Sequence, residues 1–575
     1  MRADHERWSS LGSTPRFDWP SAAWTLWLLA AGIILLLAGM PLPLTDGVTA
    51  LYGKIAKNIL ASGNWLTLHH STMRVVDKPP LTFWLMSLSM AAFGTAEWGL
   101  RAWHTGLAAG TLGATYALAR LALPPQQAAL SALILLTSMQ FFYQSLVPEQ
   151  HIPLALFVTL AVYWYLRWEE KGGLRAAALA GLAVALAVLS IGLAGLIMPV
   201  LIVGARLLVD RPPPPRRAVP EAAFAALVLL LVAVPWFVIG AARQGAPFVN
   251  TFFLGGTLGV GRFFHQVQAA PTVVPWWAGL GAYALLVPLG FLPWTGWLWP
   301  ALRDGWRARR TRERVPWACT LWVLTVLGFL SVSPGDKASR YILPVLPPLA
   351  VLAGRVVGRA DLARPAAVAS LAAALPLLGL VIVVPFWKFP EEAARYAPLF
   401  WSFIPALAAG LAAYAVAAFL GRPRTGIVLL AAMTLVSYGL AMTALARIWD
   451  QISPWRPLAR TINRVQAASA QPPGGRARVL IQGSFNELAD YYITGPVEFL
   501  NRDGIIDAWR RGPVLAVVPR RELPALPGVP GSAIVMAAPD DLVLVSNFPP
   551  PTDGVHGDRT PDARGESGPS AATRP

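Results

Sequence analysis

The sequence predicts a mainly α-helical, polytopic membrane protein with a small α/β domain at its C-terminal end. Three observations predict it. Of 575 residues, 13% are charged and 55% hydrophobic, whereas soluble domains carry about 25% charged residues. Uncharged apolar stretches of about 20 residues, long enough to cross a bilayer, recur throughout residues 1–448. Beyond residue 448 the pattern changes to short strand-like runs alternating with short helical ones. This composition excludes a cytosolic enzyme, a protein that is mostly disordered tail, and a secreted disulfide scaffold. The single cysteine, Cys319, lies in an apolar run, which leaves no intramolecular disulfide and no cysteine metal site.

Residues 1–20 are polar and carry Arg2, Arg7 and Arg16. The apolar run that follows, 22–40, has no small-residue cleavage site and reads as an anchor, not a removed signal peptide. Further apolar runs cover 98–121, 127–147, 152–168, 175–209 (length for two helices), 222–240, 276–302, 317–331, 341–354, 366–386, 401–420 and 427–448. The run 81–93 is too short for a comfortable span. Basic residues cluster at Arg167/Lys171/Arg175, Arg206/Arg211/Arg216/Arg217, Arg303/Arg307/Arg309/Arg310/Arg312/Arg314, Arg355/Arg359/Arg364 and Arg422/Arg424. Positive-inside bias places all of them in the cytoplasm with the N-terminus. Parity closes if 81–93 does not cross fully and 175–209 crosses twice, which gives about thirteen spans with the C-terminus outside. The net charge of +17 is then mainly a topology signal, and nucleic acid is not expected as a partner.

The opposite side receives 41–80, 148–151, 241–275, 333–340, 387–398 and everything after 448. Within 449–548, strands are expected at 477–482, 514–519, 532–536 and 542–545, and helices at 486–492 and 502–511. Glu487, Asp490 and Tyr492 read as ordinary surface groups there. Residues 549–575, rich in Pro, Gly, Ser, Asp and Arg, are expected to be disordered.

A transporter places ionisable residues inside its spans. This sequence shows almost none there, and its unusual polar residues gather in the first loop and at the outer helix ends. That pattern suits a membrane enzyme acting at the outer interface on a lipid-linked substrate. In the first loop Asp46 precedes Tyr52, Ile55, Ala56, Ile59 and Leu60 at helical spacing, an amphipathic helix expected to lie on the membrane surface. Lys54 and Lys57 meet lipid phosphates there or form a solvated face. Further on, Asp77-Lys78-Pro79-Pro80-Leu81 uses two prolines to hold an acid and a base rigidly before a helix.

These segments, in this order, resemble the aminoarabinose transferases that modify lipid A and, more distantly, the protein O-mannosyltransferases. Both are integral-membrane glycosyltransferases of the GT-C class that use polyprenyl-phosphate sugars. The resemblance continues in His151-Ile152-Pro153-Leu154, similar to the family's Asp-x-Pro-Leu, and in Arg262-Phe263 followed by Pro275-Trp276-Trp277. It also covers Ser333 to Lys337 with Arg340-Tyr341-Ile342-Leu343-Pro344. It implies a GT-C-like fold, an undecaprenyl-phosphate-linked sugar donor, lipid A or another periplasmic acceptor, contact with membrane lipids and a monomer. It further implies residence in a bacterial inner membrane with the site and the C-terminal domain on the periplasmic side. Two departures stand out. With Tyr52 as anchor, the family's Asp-Glu-x-Arg falls on Val48, Thr49, Ala50 and Leu51, and the later Asp is His151. Asp46 and Glu149 each lie two residues earlier. Either these carboxylates fill the vacated positions or the donor or acceptor chemistry differs.

The leaving group of such a donor is a phosphate that gains charge in the transition state, so fixed cations are its natural stabilisers. Lys78, Arg262, Lys337 and Arg340 are the candidates, with Tyr341 as a hydrogen-bond donor to the phosphate. A hydroxyl acceptor needs a general base, for which Asp46 stands first and Glu149 second; a phosphate acceptor needs none. Asp77, His151, His265 and Tyr52 are acceptor-side or accessory candidates. No cofactor is expected to be required. A divalent metal would have to use Asp46, Asp77 or Glu149 with a histidine, and the spacing carries no metal signature.

Overall fold

The computed structural model describes residues 22–70, 73–75, 78–210, 216–250, 252, 276–333, 337–388, 390–468, 477–527, 534–538 and 541–548. Asp77, Arg262, His265, the N-terminal 1–20 segment and the 549–575 tail lie outside these residues. The chain divides into two units, Met1–Trp449 and Asp450–Pro575.

The first unit is helical. It opens with α1 (Ala22–Ala38), α2 (Gly47–Ser62), α3 (Leu81–Phe93) and α4 (Glu97–Arg120). Next come α5 (Pro125–Thr137), α6 (Met139–Leu146), α7 (His151–Lys171), α8 (Leu174–Ile191), α9 (Leu193–Asp210) and α10 (Ala218–Gln244). It continues with α11 (Trp276–Gly290), α12 (Leu298–Ala308), α13 (Arg314–Val332) and α14 (Leu346–Val356). It ends with α15 (Ala360–Lys388), α16 (Pro390–Phe419) and α17 (Pro423–Ile452). Each apolar run of the sequence is met by helix, and the 175–209 run divides at Gly192 into α8 and α9. Among the described residues, six helices are individually long and apolar enough to span a membrane, or up to eight if each of two bent pairs counts as one.

Those bent pairs correct the sequence reading. The 127–147 run is not one rod: α5 and α6 meet at 64°, and the 276–302 run turns through 118° before α12. The 341–354 run likewise starts as a 3-10 segment, Ser339–Val345, before α14. The first bend is held from outside. The Met139 amide donates to the Leu292 carbonyl at 2.9 Å, the Trp294 indole donates to Thr137 Oγ1 at 2.9 Å, and the Tyr438 hydroxyl donates to the Thr137 carbonyl at 2.8 Å. Such tertiary bonds replace those lost where a helix is broken, and nothing in local periodicity announces them.

The apolar face of α2 is also covered differently from expectation. Tyr52, Ile55, Ala56 and Ile59 are buried. The Tyr52 ring packs edge-on against Phe83 of α3 at 5.0 Å, and Ser87 donates to the Ala56 carbonyl at 3.2 Å. This face therefore serves the protein interior and not a lipid surface.

One end of the helix bundle carries a network of ion pairs. Arg206 joins Glu169 and Asp210, Arg314 joins Glu170, and Arg355 joins Asp304 and Glu313. Trp168 and Trp317 add indole bonds to Glu221 and Asp210 at 2.8 and 2.9 Å. α7 leaves this end at Lys171 and reaches His151 about 30 Å away at 1.5 Å per residue, and α13 runs from Arg314 toward Ser333. The arginine-rich connections and the loops singled out in the sequence thus sit at opposite ends of the same helices.

The second unit holds α18 (Trp455–Ala468), α19 (Glu487–Tyr492) and α20 (Arg502–Arg511) around a five-stranded sheet. Its strands follow a two-stranded hairpin in the first unit, β1 (His69–His70) and β2 (Met73–Arg74). They are β3 (Arg478–Gln482), β4 (Val497–Leu500), β5 (Val514–Pro519), β6 (Ile534–Ala537) and β7 (Leu542–Ser546), in the order β4-β3-β5-β7-β6. β3 is parallel to both β4 and β5, whereas β7 is antiparallel to β5 and β6. Alternate residues serve opposite faces: Val479, Ile481, Leu515 and Val517 meet α18, and Leu480, Ala516 and Val518 meet α20. β4 has no counterpart in the sequence reading. It is a short edge strand whose Glu498 pairs with Arg478, so it lacks the apolar run by which strands are recognised. Asp490 is 3% exposed and not a surface group.

Close helix contact makes a prediction. A Cβ at Gly181 of α8 would lie 2.2 Å from the Ala225 carbonyl oxygen of α10, whereas one at Gly113 of α4 meets nothing within 4 Å. Gly181→Ala should lower the melting temperature of the purified protein by several degrees. Gly113→Ala should leave it unchanged or raise it slightly, as helix propensity requires.

Candidate active site

The site is built where three segments converge at the end of the bundle remote from the ion-pair network. The first segment enters through Asp46. Its backbone is extended and its carboxylate accepts the Thr49 amide at 2.6 Å, capping α2, which closes at left-handed Gly63. The loop beyond is self-bonded: Asn64 Oδ1 accepts from Leu66 and Thr67, and the Trp84 indole donates to the Trp65 carbonyl at 2.6 Å. Pro79 and Pro80 are buried and lead into α3, leaving Lys78 half-buried at the loop's end.

The second segment is the short connection from α6 to α7. Glu149 is 7% exposed. Gln144 Nε2 donates to its Oε2 at 3.3 Å, and His151 Nε2 stands 3.6 Å from the same oxygen. Gln140 extends this buried polar row one helical turn further. The third segment is the 3-10 turn after α13. The Tyr341 ring contacts the His151 ring edge-on at 5.6 Å, and the Arg340 guanidinium lies over the Tyr341 ring at 5.4 Å.

Electrostatics tie the segments together. Burial raises the Glu149 carboxyl above the usual carboxylate range, and the negative charge of Asp46 adds to it. Arg340, the Gln144 bond and Lys78 pull it back down. Tyr143 on α6, which the sequence did not single out, is 56% exposed and feels Asp46, Glu149 and Arg340 together. Glu149 thus feels the charges of Asp46, Arg340 and Lys78, and His151 and Tyr341 link Glu149 to Arg340 through direct contacts. Among the described residues no group of three or more His, Cys, Asp or Glu side chains suits a metal.

Two candidates are turned to other work. The Lys337 ammonium donates to the Leu330 carbonyl at 2.8 Å and also to Ser333, closing the C-terminal end of α13, and it lies 5.8 Å from the Tyr283 ring centre. Tyr52 packs between α2 and α3. Conversely, two residues that hold the site were missed. Arg101, 4% exposed on α4, donates to the carbonyls of Met40 and Leu146 at 2.9 Å, to Pro43 at 3.1 Å and to Leu42. One turn on, His104 Nδ1 is 3.1 Å from the Ser145 carbonyl. The expectation that the spans hold almost no ionisable groups fails at these two positions. Both lie inside the 98–121 run, where ionisable residues within an apolar run were the available signal.

The class comes first from known proteins. Residues 77–239, which contain Lys78, Arg101 and Glu149, match the family described as dolichyl-phosphate-mannose-protein mannosyltransferase. The chain superposes on the crystal structure of ArnT from Cupriavidus metallidurans bound to undecaprenyl phosphate. The TM-score is 0.74 at 20% identity, covering 94% of this chain and 100% of the other, and the apo structure of the same protein gives 0.69. The fold is thus shared with that ArnT structure. Among named relatives, this chain is 31% identical over 345 residues to the undecaprenyl phosphate-alpha-4-amino-4-deoxy-L-arabinose arabinosyl transferase of Pseudomonas aeruginosa UCBPP-PA14, covering 58% of this chain and 59% of the relative. It is 31% identical over 312 residues to a counterpart in Sodalis glossinidius, covering 52% of each. The chain thus spans somewhat more than half the length of the curated relatives it matches.

Glu149 generates a pH prediction. Its folded-state pKa is raised, so its contribution to stability is present below the ordinary carboxylate value and is lost as pH rises through the folded value. At neutral pH Glu149→Gln should melt at the same temperature as the parent or higher. The parent's loss of stability between mildly acidic and neutral pH should be reduced in the variant. A clear drop in melting temperature at pH 7 would contradict the placement of this carboxylate.

Proposed function

We propose that this protein is an inner-membrane glycosyltransferase of about thirteen spans, with its N-terminus inside and its site and C-terminal α/β unit on the periplasmic side. It moves a sugar from an undecaprenyl-phosphate donor to a periplasmic acceptor, an aminoarabinose-type sugar to a lipid A phosphate. The observation that carries the reading is the buried Glu149, in contact with His151 and acted on by the charges of Asp46, Arg340 and Lys78 at one helix end. The chain's likeness to aminoarabinose transferases supports the choice of donor.

The chemistry follows from charge. The anomeric carbon–oxygen bond to the donor phosphate breaks, and the phosphate keeps the electron pair. Lys78 and Arg340 meet the negative charge that develops on it, Arg340 with paired N–H groups and Lys78 as a point charge. Tyr341 donates its hydroxyl hydrogen alongside. An acceptor phosphate oxygen, already anionic, attacks the same carbon without a base. This leaves Asp46 and Glu149 free to receive the ammonium of an aminosugar, which two carboxylates fit better than they fit a neutral hexose. They stand in for the family carboxylates that Val48 and His151 replace. Arg262 joins the cation set on the strength of its motif. No metal is needed for these steps. The protein acts as a monomer.

The test is transfer itself. Purified protein with undecaprenyl-phosphate aminoarabinose and lipid A should yield lipid A heavier by one sugar in mass spectrometry. Lys78→Ala and Arg340→Ala should each lower the rate at least about tenfold, the scale of one lost charge-stabilising donor. Absence of transfer from any polyprenyl-phosphate sugar, with lipid binding intact, would sink the enzyme reading. Transfer of a neutral sugar onto a hydroxyl would replace the acceptor.

A further inference from the structure

At the arginine-rich end Arg206, Arg314, Arg355 and Arg359 pair with acidic side chains. Other basic residues there do not. Arg303, Arg307 and Arg310 have no ion pair and no side-chain hydrogen bond among the described residues, and all three line one groove between α12 and α13. The groove is completed by Trp299, Leu302, Trp306, Thr320 and Leu324, encloses about 570 Å³, and contains no acidic side chain.

The helix is built to leave this stripe uncovered. Positions 299, 303, 306 and 307 share one face of α12 at helical spacing, and Arg310 follows in the turn after it. The other faces are used: Ala301, Gly305 and Ala308 are buried, and a Cβ at Gly305 would lie 2.1 Å from Thr320 Oγ1, so glycine allows α12 to lie directly on α13. Asp304 is drawn to Arg355 and Arg359. On the open face Trp299 is 73% exposed, Trp306 50% and Leu324 45%. Leu324 sits ten residues from Arg314 at the helix end, about 15 Å into the span at 1.5 Å per residue. The groove therefore grades from three guanidiniums, through two indoles, to an aliphatic wall at acyl-chain depth. Tryptophan belongs at that boundary, and arginines there attract anionic headgroups.

We propose that this groove binds the headgroup of an anionic phospholipid, its phosphate held by Arg303, Arg307 and Arg310 and its acyl chain laid along Trp299, Leu302 and Leu324. This site lies at the opposite end of α13 from the proposed sugar-transfer site and does not depend on that reading.

Native mass spectrometry of the full-length protein in detergent, titrated with phosphatidylglycerol or phosphatidylcholine, tests it. Arg303→Gln/Arg307→Gln/Arg310→Gln should bind phosphatidylglycerol at least about tenfold more weakly than the parent, since each basic residue near an anionic surface is worth severalfold. Phosphatidylcholine binding should not change. Equal phosphatidylglycerol binding by parent and triple variant would overturn the proposal. So would a parent that takes undecaprenyl phosphate but not phosphatidylglycerol at these arginines. Should the triple variant lose its melting transition, Arg310→Gln and Trp299→Ala are read singly. Each should weaken phosphatidylglycerol binding severalfold, and no change in either would overturn the assignment.

Discussion

The site depends on the buried guanidinium of Arg101. A charged donor group inside a helical bundle is costly unless its N–H groups are matched. Here they are matched by carbonyls from two separate segments, Met40, Leu42 and Pro43 on one side and Leu146 on the other. Those carbonyls lie at chain ends that helices leave unsatisfied. The same residue thus closes the end of α1, sets the start of the loop that carries Asp46, and fixes the end of α6 three residues before Glu149. His104, one turn away, reaches the Ser145 carbonyl and secures the same corner. Charge-assisted bonds are worth about 1.5–3 kcal/mol each, so several on one side chain outweigh the entropy of holding a loop and a helix end together.

The two ends of the bundle treat charge in opposite ways. At the arginine-rich end Arg206, Arg314 and Arg355 are neutralised by neighbouring carboxylates, which makes that end a structural clamp between α7, α9, α12, α13 and α14. At the site end the buried Glu149 carboxylate feels the charges of Asp46, Arg340 and Lys78. Glu149 retains its raised pKa because the cations do not fully compensate burial and the Asp46 charge. A group held in that state is available to a charged ligand, and this contrast is the physical basis for reading one end as scaffold and the other as reactive.

Much of this was legible in the sequence for identifiable reasons. Long apolar runs dictated helices because a bilayer core leaves the backbone no other way to satisfy its hydrogen bonds. Lys78 stood out because charge at the end of an apolar run is costly to place without purpose, whereas Asp46, Glu149, Arg340 and Tyr341 were marked by the resemblance to a known family. The bends at Ser138 and after Gly290 were not legible, since Leu292, Trp294 and Tyr438 impose one of them from distant positions. Gln140, Tyr143 and Gln144 looked like incidental members of an apolar run until the bend turned them toward Glu149. Arg101 was passed over because one arginine inside an apolar run does not show which distant carbonyls it will meet. The bonds of the Lys337 ammonium to the backbone at the end of α13 were not legible either. The apolar face of α2 reads alike whether lipid or protein covers it, and only α3 decides between them.

Arg101 assembles the site by joining the first loop to the α6–α7 corner. Spin labels at Val48→Cys and Tyr143→Cys, both exposed positions, with buried Cys319 replaced, report that junction directly. Their spin–spin distance distribution should be single and narrow in the Arg101-containing protein. In Arg101→Met it should broaden and lengthen by several ångströms while the helical content stays unchanged. An identical narrow distribution in the Arg101→Met protein would contradict the account.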